Sequence, residues 1–243
     1  PASLSPCRWQ ARLGTTTTVF GVRTDRYKYI RYHGIWATNN EFIDRFLVTA
    51  EAYRIPVTLL LNKCDLYATD ALQDAQTEFL KIYRSAGYEV IELSATQQTG
   101  IDAFKKMLPG KTSLLSGNSG VGKSTLIRAI DPSLDIRIGA VSASSSKGKH
   151  TTTFSEMYPL AGGGYLIDTP GIKGFGLIDI ENDEICRYFP DLFRYAPLCG
   201  YYNCTHTHEP ACAVREALRA GEIGLSRYES YLKLLDDDQK YRK

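Results

Sequence analysis

The chain has 243 residues, of which 43% are hydrophobic and 23% are charged, and its formal net charge is +2. This hydrophobic share is enough for one large or two modest globular domains. No apolar run approaches the ~20 residues of a membrane helix, and the first residues lack the charged-then-apolar layout of a secretion signal. We therefore expect a cytoplasmic protein that has no membrane partner.

Residues 1–38 carry six Arg or Lys residues and one acidic residue, interleaved with aromatic rings. Residues 15–20 and 27–32 favour strands. A small β-barrel of the oligonucleotide-binding (OB) type uses such charges to hold phosphates and such rings to stack on bases. The alternative is an ordinary β-rich segment whose rings form core. Because 38 residues are too few for a five-stranded barrel, we expect a partial OB-like domain.

Residues 39–108 alternate between helical and strand patterns. From residue 41, apolar side chains fall on one helical face, beginning with Phe42, Ile43 and Phe46. Residues 55–61 are a continuous apolar run of strand length, which is typical of parallel strands covered on both faces. A helix over 71–86, a strand over 88–93 and a helix over 100–108 continue the alternation. The pattern predicts an α/β fold with a doubly wound sheet.

Residues 117–124 match the phosphate-binding pattern G-x-x-x-x-G-K-[ST] at every defined position, between a predicted strand and a predicted helix. The glycines let backbone N–H groups point at phosphate oxygens, and the helix adds the positive end of its dipole. Lys123 is predicted to reach the terminal phosphates, and the Ser124 hydroxyl to bind Mg²⁺. The residues assigned to this loop are Gly117, Asn118, Ser119, Gly120, Val121, Gly122, Lys123, Ser124 and Thr125.

A second motif, N-K-x-D, follows the apolar run and indicates guanine. The Asp65 carboxylate can accept hydrogen bonds from both guanine N1–H and the exocyclic amine, whereas adenine offers no such donor pair. Asn62 is expected to contact the purine and to tie the loop to its neighbours, and the stem of Lys63 to lie over the ring. The N–H groups of Ser94 and Ala95, after the next strand, are expected near the guanine oxygen. GTP and GDP are thus the predicted ligands.

Asp168 and Gly171 fit the pattern D-x-x-G, and Asp168 is expected to hold Mg²⁺ through water. Together with the threonines at 151–153, these motifs resemble the five guanine-nucleotide motifs of the translation-factor-related GTPases. Their order differs, because N-K-x-D and Ser-Ala precede the phosphate loop. The chain therefore resembles the circularly permuted GTPases, whose sheet is unchanged although the chain begins elsewhere.

Hydrolysis needs a group that orients water, and Ile172 stands where many GTPases have glutamine. His150 is the nearest residue of suitable chemistry, and the alternative is a solvated loop histidine. The resemblance implies that His150 is catalytic. It also implies that Thr152, in a G-x-H-T-T-T segment, completes the Mg²⁺ shell.

Cys199, Cys204, His206 and Cys212 offer three thiolates and one imidazole within fourteen residues, which suits a closed structural Zn²⁺ site. His208 is an alternative nitrogen ligand, and free buried cysteines are the alternative to metal. The remaining cysteines, at 7, 64 and 186, have no partner pattern and are interpreted as ordinary thiols.

The position of this metal motif, with the basic aromatic N-terminal segment, narrows the resemblance to the ribosome-small-subunit-dependent GTPase family, bacterial assembly factors that act on the 30S particle. The resemblance covers about residues 41–243 and implies a 30S-stimulated GTPase of late subunit maturation that contacts 16S rRNA and is a monomer. The predicted domains are 1–38 (partial barrel), 39–182 (GTPase) and 183–243 (zinc-binding, mainly helical). Alternatives are a permuted GTPase of the large subunit and a nucleotide-gated RNA-binding protein.

Overall fold

The computed structural model describes residues 17–18, 21–22, 27–33, 40–117, 121–134, 155–169 and 180–241. The chain divides into two compact units. The first draws on residues 1–37, 53–76 and 89–173, and the second on residues 38–52, 77–88 and 174–243. The domain boundaries drawn from the sequence remain a prediction.

Between residues 27 and 130 the described strands and helices alternate along the chain. The strands are β1 (Thr17–Thr18), β2 (Gly21–Val22), β3 (Tyr27–His33), β4 (Val57–Leu61), β5 (Glu89–Glu92), β6 (Lys111–Ser116), β7 (Glu156–Pro159) and β8 (Gly164–Asp168). The helices are α1 (Asn40–Ala52), α2 (Asp70–Ser85), α3 (Ile101–Lys105), α4 (Lys123–Ile130), α5 (Pro190–Phe193), α6 (Ala213–Arg219) and α7 (Leu225–Tyr241). Short 3₁₀ turns lie at Cys64–Leu66, Ile185–Tyr188 and Ala196–Leu198.

Within the described residues, six strands form one sheet in the order β5-β4-β3-β6-β8-β7. The strand β7, at one edge, is antiparallel to β8, and the other neighbouring pairs in this sheet are parallel. The strands that follow β3 in the chain, β4 and β5, extend the sheet toward one edge. The strands that follow β6, β7 and β8, extend it toward the opposite edge. The strand order therefore reverses between β3 and β6. In open α/β sheets, ligands bind beyond the carboxyl ends of the strands at such a reversal.

Strand β3 corrects one expectation from the sequence. Tyr29 lies opposite both Val57 of β4 and Leu114 of β6, so Tyr27–His33 is an inner strand of the same sheet as the nucleotide motifs and not part of a separate barrel. The strand itself was predictable from its β-branched and aromatic residues. Its place in this sheet was not, because β3 alternates charged and apolar residues where an inner parallel strand usually reads as a continuous apolar run.

The core of the first unit fixes the helix that follows the phosphate loop. Leu126 and Ile127 of α4 are fully buried, and they share a hydrophobic cluster with Phe104 of α3, Leu115 of β6 and Leu166 of β8. Buried leucine and isoleucine side chains each stabilise a fold by about 1.5–3 kcal/mol relative to exposure. The start of α4 is therefore held firmly at the end of β6.

The second unit combines α1 and residues 77–88 with the C-terminal residues from 180 onward. Its hydrophobic cluster brings Val48 of α1 together with Phe189, Val214 and Tyr231. A helix from the first quarter of the chain thus completes the core around the cysteine-containing segment. Among the described helices, none has both the length and the apolar character needed to span a bilayer.

A fully buried arginine lies at the centre of the second unit. Arg227 of α7 contacts Asp44 of α1 at 2.7 Å, and it binds both carboxylate oxygens of Asp191 of α5 at 3.0 and 2.7 Å. Its guanidinium also lies 4.6 Å from the centre of the Phe189 ring, and Asp44 accepts a further hydrogen bond from Tyr83. Burial raises the pKa of Asp44, although the Arg227 charge opposes this shift. No pattern in the sequence indicates this ion cluster.

Candidate nucleotide and metal sites

The phosphate loop lies between the end of β6 and the start of α4. Gly122 has φ +96°, a left-handed conformation that glycine adopts without strain, and its carbonyl accepts the Leu126 N–H at 2.9 Å to begin the helix. Ser124 and Thr125 follow in the first helical turn and are half-buried. The local geometry is the strand, loop and helix order that the motif requires.

The Lys123 side chain bonds to the backbone at the end of β6. The side chain is only 7% exposed, and Nζ donates to the Gly117 carbonyl at 2.8 Å. Burial lowers the pKa of the Lys123 ammonium, while the Asp168 carboxylate opposes that shift. A buried cation at the mouth of a glycine-rich loop is suited to an anion such as a phosphate.

Asp168 joins this site from the neighbouring strand. It ends β8, lies opposite Leu115 of β6 and is 1% exposed. The next residue, Thr169, fixes the segment by donating its hydroxyl to the Leu115 carbonyl at 3.0 Å. The Asp168 carboxylate therefore interacts electrostatically with the Lys123 ammonium, which is bonded to Gly117 at the beginning of the phosphate loop. The Ser124 hydroxyl follows Lys123 in the first turn of α4, and carboxylate with hydroxyl oxygens is a donor set that suits Mg²⁺.

Asn62 ties three loops together across the reversal in strand order. The side chain is 2% exposed; Nδ2 donates to the carbonyl of Val121 in the phosphate loop at 3.0 Å, and Oδ1 accepts the Ala95 N–H at 3.1 Å. Tyr67 donates its hydroxyl to the Asn62 carbonyl at 3.2 Å. The predicted base loop, which comes early in the chain, and the predicted phosphate loop, which comes 59 residues later, thus meet in space.

Asp65 lies in the 3₁₀ turn that follows, after Lys63 with φ +64°. Within the described residues, Asp65 Oδ1 is a buried oxygen that has no hydrogen-bond partner. A buried carboxylate oxygen left unpaired costs free energy, and a ligand with an N–H donor pair would recover it. This orphaned oxygen is the observation of the structure that fits guanine.

The two amides expected near the guanine oxygen already have acceptors. Ser94 N–H donates to the Thr99 carbonyl at 2.9 Å, and Ala95 N–H donates to Asn62. Contact of Ser94 and Ala95 with the base stays a prediction. Six further predicted residues lie outside the described residues: Asn118, Ser119, Gly120, His150, Thr152 and Gly171.

Replacing Asn62 by alanine is expected to lower the unfolding free energy by at least about 2 kcal/mol and to weaken GTP binding. The substitution leaves a buried carbonyl at Val121 and a buried N–H at Ala95 unpaired, and each such group costs about 1–3 kcal/mol. Urea unfolding and GTP titration measure the two effects. Gln98→Ala is the matched control, since Gln98 is an exposed amide of the same loop that donates to Ala95; equal effects of both substitutions would contradict the role of Asn62.

The second site is a cluster of three cysteines and one histidine. The ligand atoms of Cys199, Cys204, His206 and Cys212 all lie within 4.8 Å of one another. Nδ1 of His206 is 3.5 Å from Sγ of both Cys199 and Cys212, and these two sulfurs are 3.9 Å apart. Tetrahedral zinc, with Zn–S about 2.3 Å and Zn–N about 2.0–2.1 Å, separates two sulfurs by about 3.8 Å and sulfur from nitrogen by about 3.6 Å. The residues fit a zinc ion.

Protonation in this cluster follows burial. Burial raises the pKa of the Cys204 thiol to about 12 and also raises that of Cys212, while burial lowers the pKa of His206. A neutral imidazole is ready to coordinate, whereas the thiols must lose protons, which the charge of a zinc ion favours. His208, the alternative nitrogen ligand, is exposed and lies outside the cluster.

Three residues that bond to the segment between Cys199 and Cys212 were not identified by sequence analysis. Tyr228 and Tyr231 of α7 donate their hydroxyls to the carbonyls of His206 at 2.6 Å and Thr205 at 2.8 Å. Burial tends to raise the pKa of Glu209, but hydrogen bonds from Thr205 and His208 outweigh it and lower the pKa to about 2. Only the position of Glu209 inside the Cys/His segment could have drawn attention to it.

The phosphate loop follows the inner strand β6, and the base loop follows β4, which lies beyond β3 in the same sheet. This arrangement defines a P-loop nucleotide-binding domain of the circularly permuted GTPase fold. The same chain also carries a Cys₃His cluster. A family model described as RsgA GTPase matches residues 35–178. The chain belongs to the RsgA GTPase family.

Relatives and solved structures agree with this membership. The small ribosomal subunit biogenesis GTPase RsgA 2 of Bacteroides thetaiotaomicron is 53% identical over 207 residues, covering 84% of this chain and 66% of that protein. The corresponding RsgA of Flavobacterium psychrophilum is 48% identical over 206 residues, covering 84% and 63%. The chain thus spans slightly less than two thirds of the length of these relatives.

Among solved structures, YjeQ from Thermotoga maritima is 35% identical with a TM-score of 0.72, covering 89% of this chain and 72% of that one. YloQ, described as a circularly permuted GTPase, is 26% identical with a TM-score of 0.71, covering 89% and 69%.

Proposed function

We propose that the protein binds GTP and hydrolyses it to GDP and phosphate as a cytoplasmic assembly factor in late maturation of the 30S ribosomal subunit. The observation that carries nucleotide binding is the Asn62 side chain, which donates to the Val121 carbonyl of the phosphate loop and accepts the Ala95 N–H, so that the base loop and the phosphate loop meet. The relatives named as small-subunit biogenesis GTPases support the ribosomal target.

In this proposal the nucleotide lies across the reversal in strand order, with its base at Asp65 and its phosphates at residues 117–125. Lys63 covers the base, and Ser94 and Ala95 lie beside it. Lys123 holds the terminal phosphates, and Ser124 with Thr152 binds Mg²⁺ while Asp168 and Gly171 adjoin the metal and the terminal phosphate. Bound Mg²⁺ supplies positive charge that offsets the charge developing on the phosphate oxygens.

His150 orients the attacking water in this proposal, because Ile172 cannot. His150→Ala is expected to lower 30S-stimulated GTP turnover by about 10²- to 10⁴-fold, the range typical of general acid–base groups, and to leave GTP affinity unchanged. Single-turnover assays with 30S particles measure the rate, and nucleotide titration measures affinity. His208→Ala, which removes an exposed histidine, is the control; unchanged turnover in His150→Ala would refute the assignment.

The stimulating particle is tested with purified subunits. We expect 30S particles to raise GTP turnover strongly and 50S particles to leave it near its intrinsic rate of about 10⁻⁴ to 10⁻² s⁻¹. Stimulation by 50S alone would indicate a large-subunit factor. Binding of RNA that depends on GTP, without stimulation by either particle, would indicate a nucleotide-gated RNA-binding protein.

Contact with 16S rRNA and the monomeric state are parts of the same proposal. The basic and aromatic residues before β3 support RNA contact, and the antiparallel pair β1 and β2, with Thr17 opposite Val22, is compatible with the remnant of an OB-type barrel.

The Cys₃His cluster holds one structural zinc ion in this proposal. Chelation is expected to unfold the second unit, since structural zinc contributes on the order of 10 kcal/mol to small metal modules. Hydrogen exchange with and without a strong chelator measures this, with amides of 199–231 expected to lose protection and those of β6 as internal reference. Unchanged protection after complete removal of zinc would contradict a structural role.

A further inference from the structure

The metal loop, defined as residues 199–212, adopts a conformation that its sequence does not favour. His206 has φ +60° and Ala211 has φ +53°, both in the left-handed region, which costs a residue with a side chain free energy. The segment also carries few apolar residues that could bury it, since eight of the residues 200–211 are exposed: Gly200, Tyr201, Tyr202, Asn203, Thr205, His208, Pro210 and Ala211. Some other interaction must hold this backbone.

Glu209 supplies that interaction from inside the loop. One carboxylate oxygen, Oε1, accepts the Thr205 N–H at 2.6 Å and the Thr205 hydroxyl. The other oxygen, Oε2, accepts the N–H groups of Thr207 at 3.0 Å and His208 at 3.2 Å. One side chain thus binds the backbone on both sides of His206, so the imidazole is directed by its two neighbours.

Glu209 is not itself a ligand in this arrangement. Its oxygens lie outside the group of four ligand atoms, and both are occupied by loop donors. Helix α7 supports the same backbone from the other side, through the hydroxyls of Tyr228 and Tyr231. With these hydrogen bonds in place, the ligand atoms of Cys199, His206 and Cys212 already stand at the edge lengths of a zinc tetrahedron, and the Cys204 sulfur lies within 4.8 Å of them.

We propose that Glu209 is a positioning residue that folds the metal loop into its ligand-binding conformation, so that the zinc ion binds a preformed site. This inference rests on the proposed zinc site. The physical basis is pre-organisation. Because the Glu209 carboxylate has already ordered the loop, metal binding does not have to supply the free energy of that ordering.

Glu209→Gln tests the proposal, because glutamine keeps the size of the side chain and one acceptor oxygen. The amide nitrogen that replaces the second oxygen is a donor and faces other N–H donors. Cobalt(II) titration of the purified, metal-depleted full chain gives the affinity from its absorption bands. We expect Glu209→Gln to weaken Co²⁺ binding by about 10- to 100-fold, as removal of partners that orient metal ligands typically does.

Glu216→Gln, on the exposed face of α6, removes the same charge from the same unit and is expected to leave affinity unchanged. At saturation Glu209→Gln should show the wild-type Co²⁺ spectrum, since its ligands are the same. An unchanged affinity overturns the proposal, and an altered saturated spectrum overturns it by making Glu209 a ligand. Failure of the wild-type chain to bind Co²⁺ or Zn²⁺ refutes the zinc site itself, which is a different result.

Tyr228→Phe provides a second variant if Glu209→Gln does not yield folded protein. It removes a single hydroxyl that donates to His206 and leaves the aromatic packing intact. We expect about a 2- to 10-fold loss of Co²⁺ affinity, in keeping with the net contribution of one hydrogen bond. Wild-type affinity in this variant would show that the loop conformation does not limit metal binding.

Discussion

Asp65→Asn is expected to weaken GTP binding by about 10²- to 10⁴-fold and to favour xanthosine triphosphate instead. Two hydrogen bonds to a charged acceptor contribute about 1.5–3 kcal/mol each, and asparagine retains only one acceptor oxygen. Its amide nitrogen would face the exocyclic amine of guanine, donor against donor, but would suit the carbonyl that xanthine has at the same position. Calorimetric titration with GTP and with xanthosine triphosphate measures this change in nucleotide preference.

Asp70→Asn is the matched control, since Asp70 is an exposed carboxylate at the first position of α2, five residues further along. It should bind GTP as the wild-type protein does. The interpretation of this loop would be refuted if the wild-type chain bound ATP as tightly as GTP, or if Asp65→Asn kept the wild-type preference.

Arg227→Met is expected to lower the unfolding free energy of the second unit by about 3–5 kcal/mol. Methionine fills much of the same volume, but it leaves the carboxylates of Asp44 and Asp191 buried without their cation. Breaking a buried ion pair by removing one partner has this cost, because the remaining charge is not solvated. Chemical denaturation followed by hydrogen exchange in the second unit measures it.

Lys233→Met makes the same substitution on the same helix at an ion pair with Glu41 whose lysine is 60% exposed. It is expected to cost less than about 1 kcal/mol, because water screens the pair. Similar losses in both variants would contradict the importance of burial.

The loss of unfolding free energy caused by Arg227→Met should depend on pH. Burial already raises the folded-state pKa of Asp44, and loss of the Arg227 charge raises it further. The folded carboxyl then holds its proton more tightly than the unfolded one, whose pKa is about 3.9, so stability falls as the pH rises from that value through the folded pKa. The deficit should therefore be smallest below about pH 4 and grow toward neutrality; a deficit independent of pH would contradict this account.

The sequence carries a stronger signal for the candidate nucleotide site than for its surroundings, because phosphate and guanine recognition each require particular residues at a fixed local spacing. Lys123, Asp65 and the cysteine cluster could be named from such patterns alone. The meeting of Asn62 and Val121 followed only from assuming that the motif order was permuted. Strand pairing has no comparable local signature, so Tyr27–His33 read as a strand without revealing its neighbours.

Long-range ion clusters are harder still. Asp44, Asp191 and Arg227 are separated by 36 to 183 residues, and each alone reads as an ordinary surface charge on a helix. Helical periodicity assigns such residues to solvent, and only the packing of three helices reveals that they are buried. Glu209 was missed for a related reason, since its partners are backbone amides, which no residue type marks.

The Arg227 cluster also limits how the chain can be shortened. A fragment that starts at residue 183 would keep Arg227 and Asp191 but lose Asp44, together with Val48 from the shared core. Expressed alone, such a fragment would expose an apolar face and carry an arginine deprived of one of its two counter-ions. The portion that carries the Cys₃His cluster is therefore not a detachable module that could be transplanted, lost or recombined without α1, the helix that completes its core.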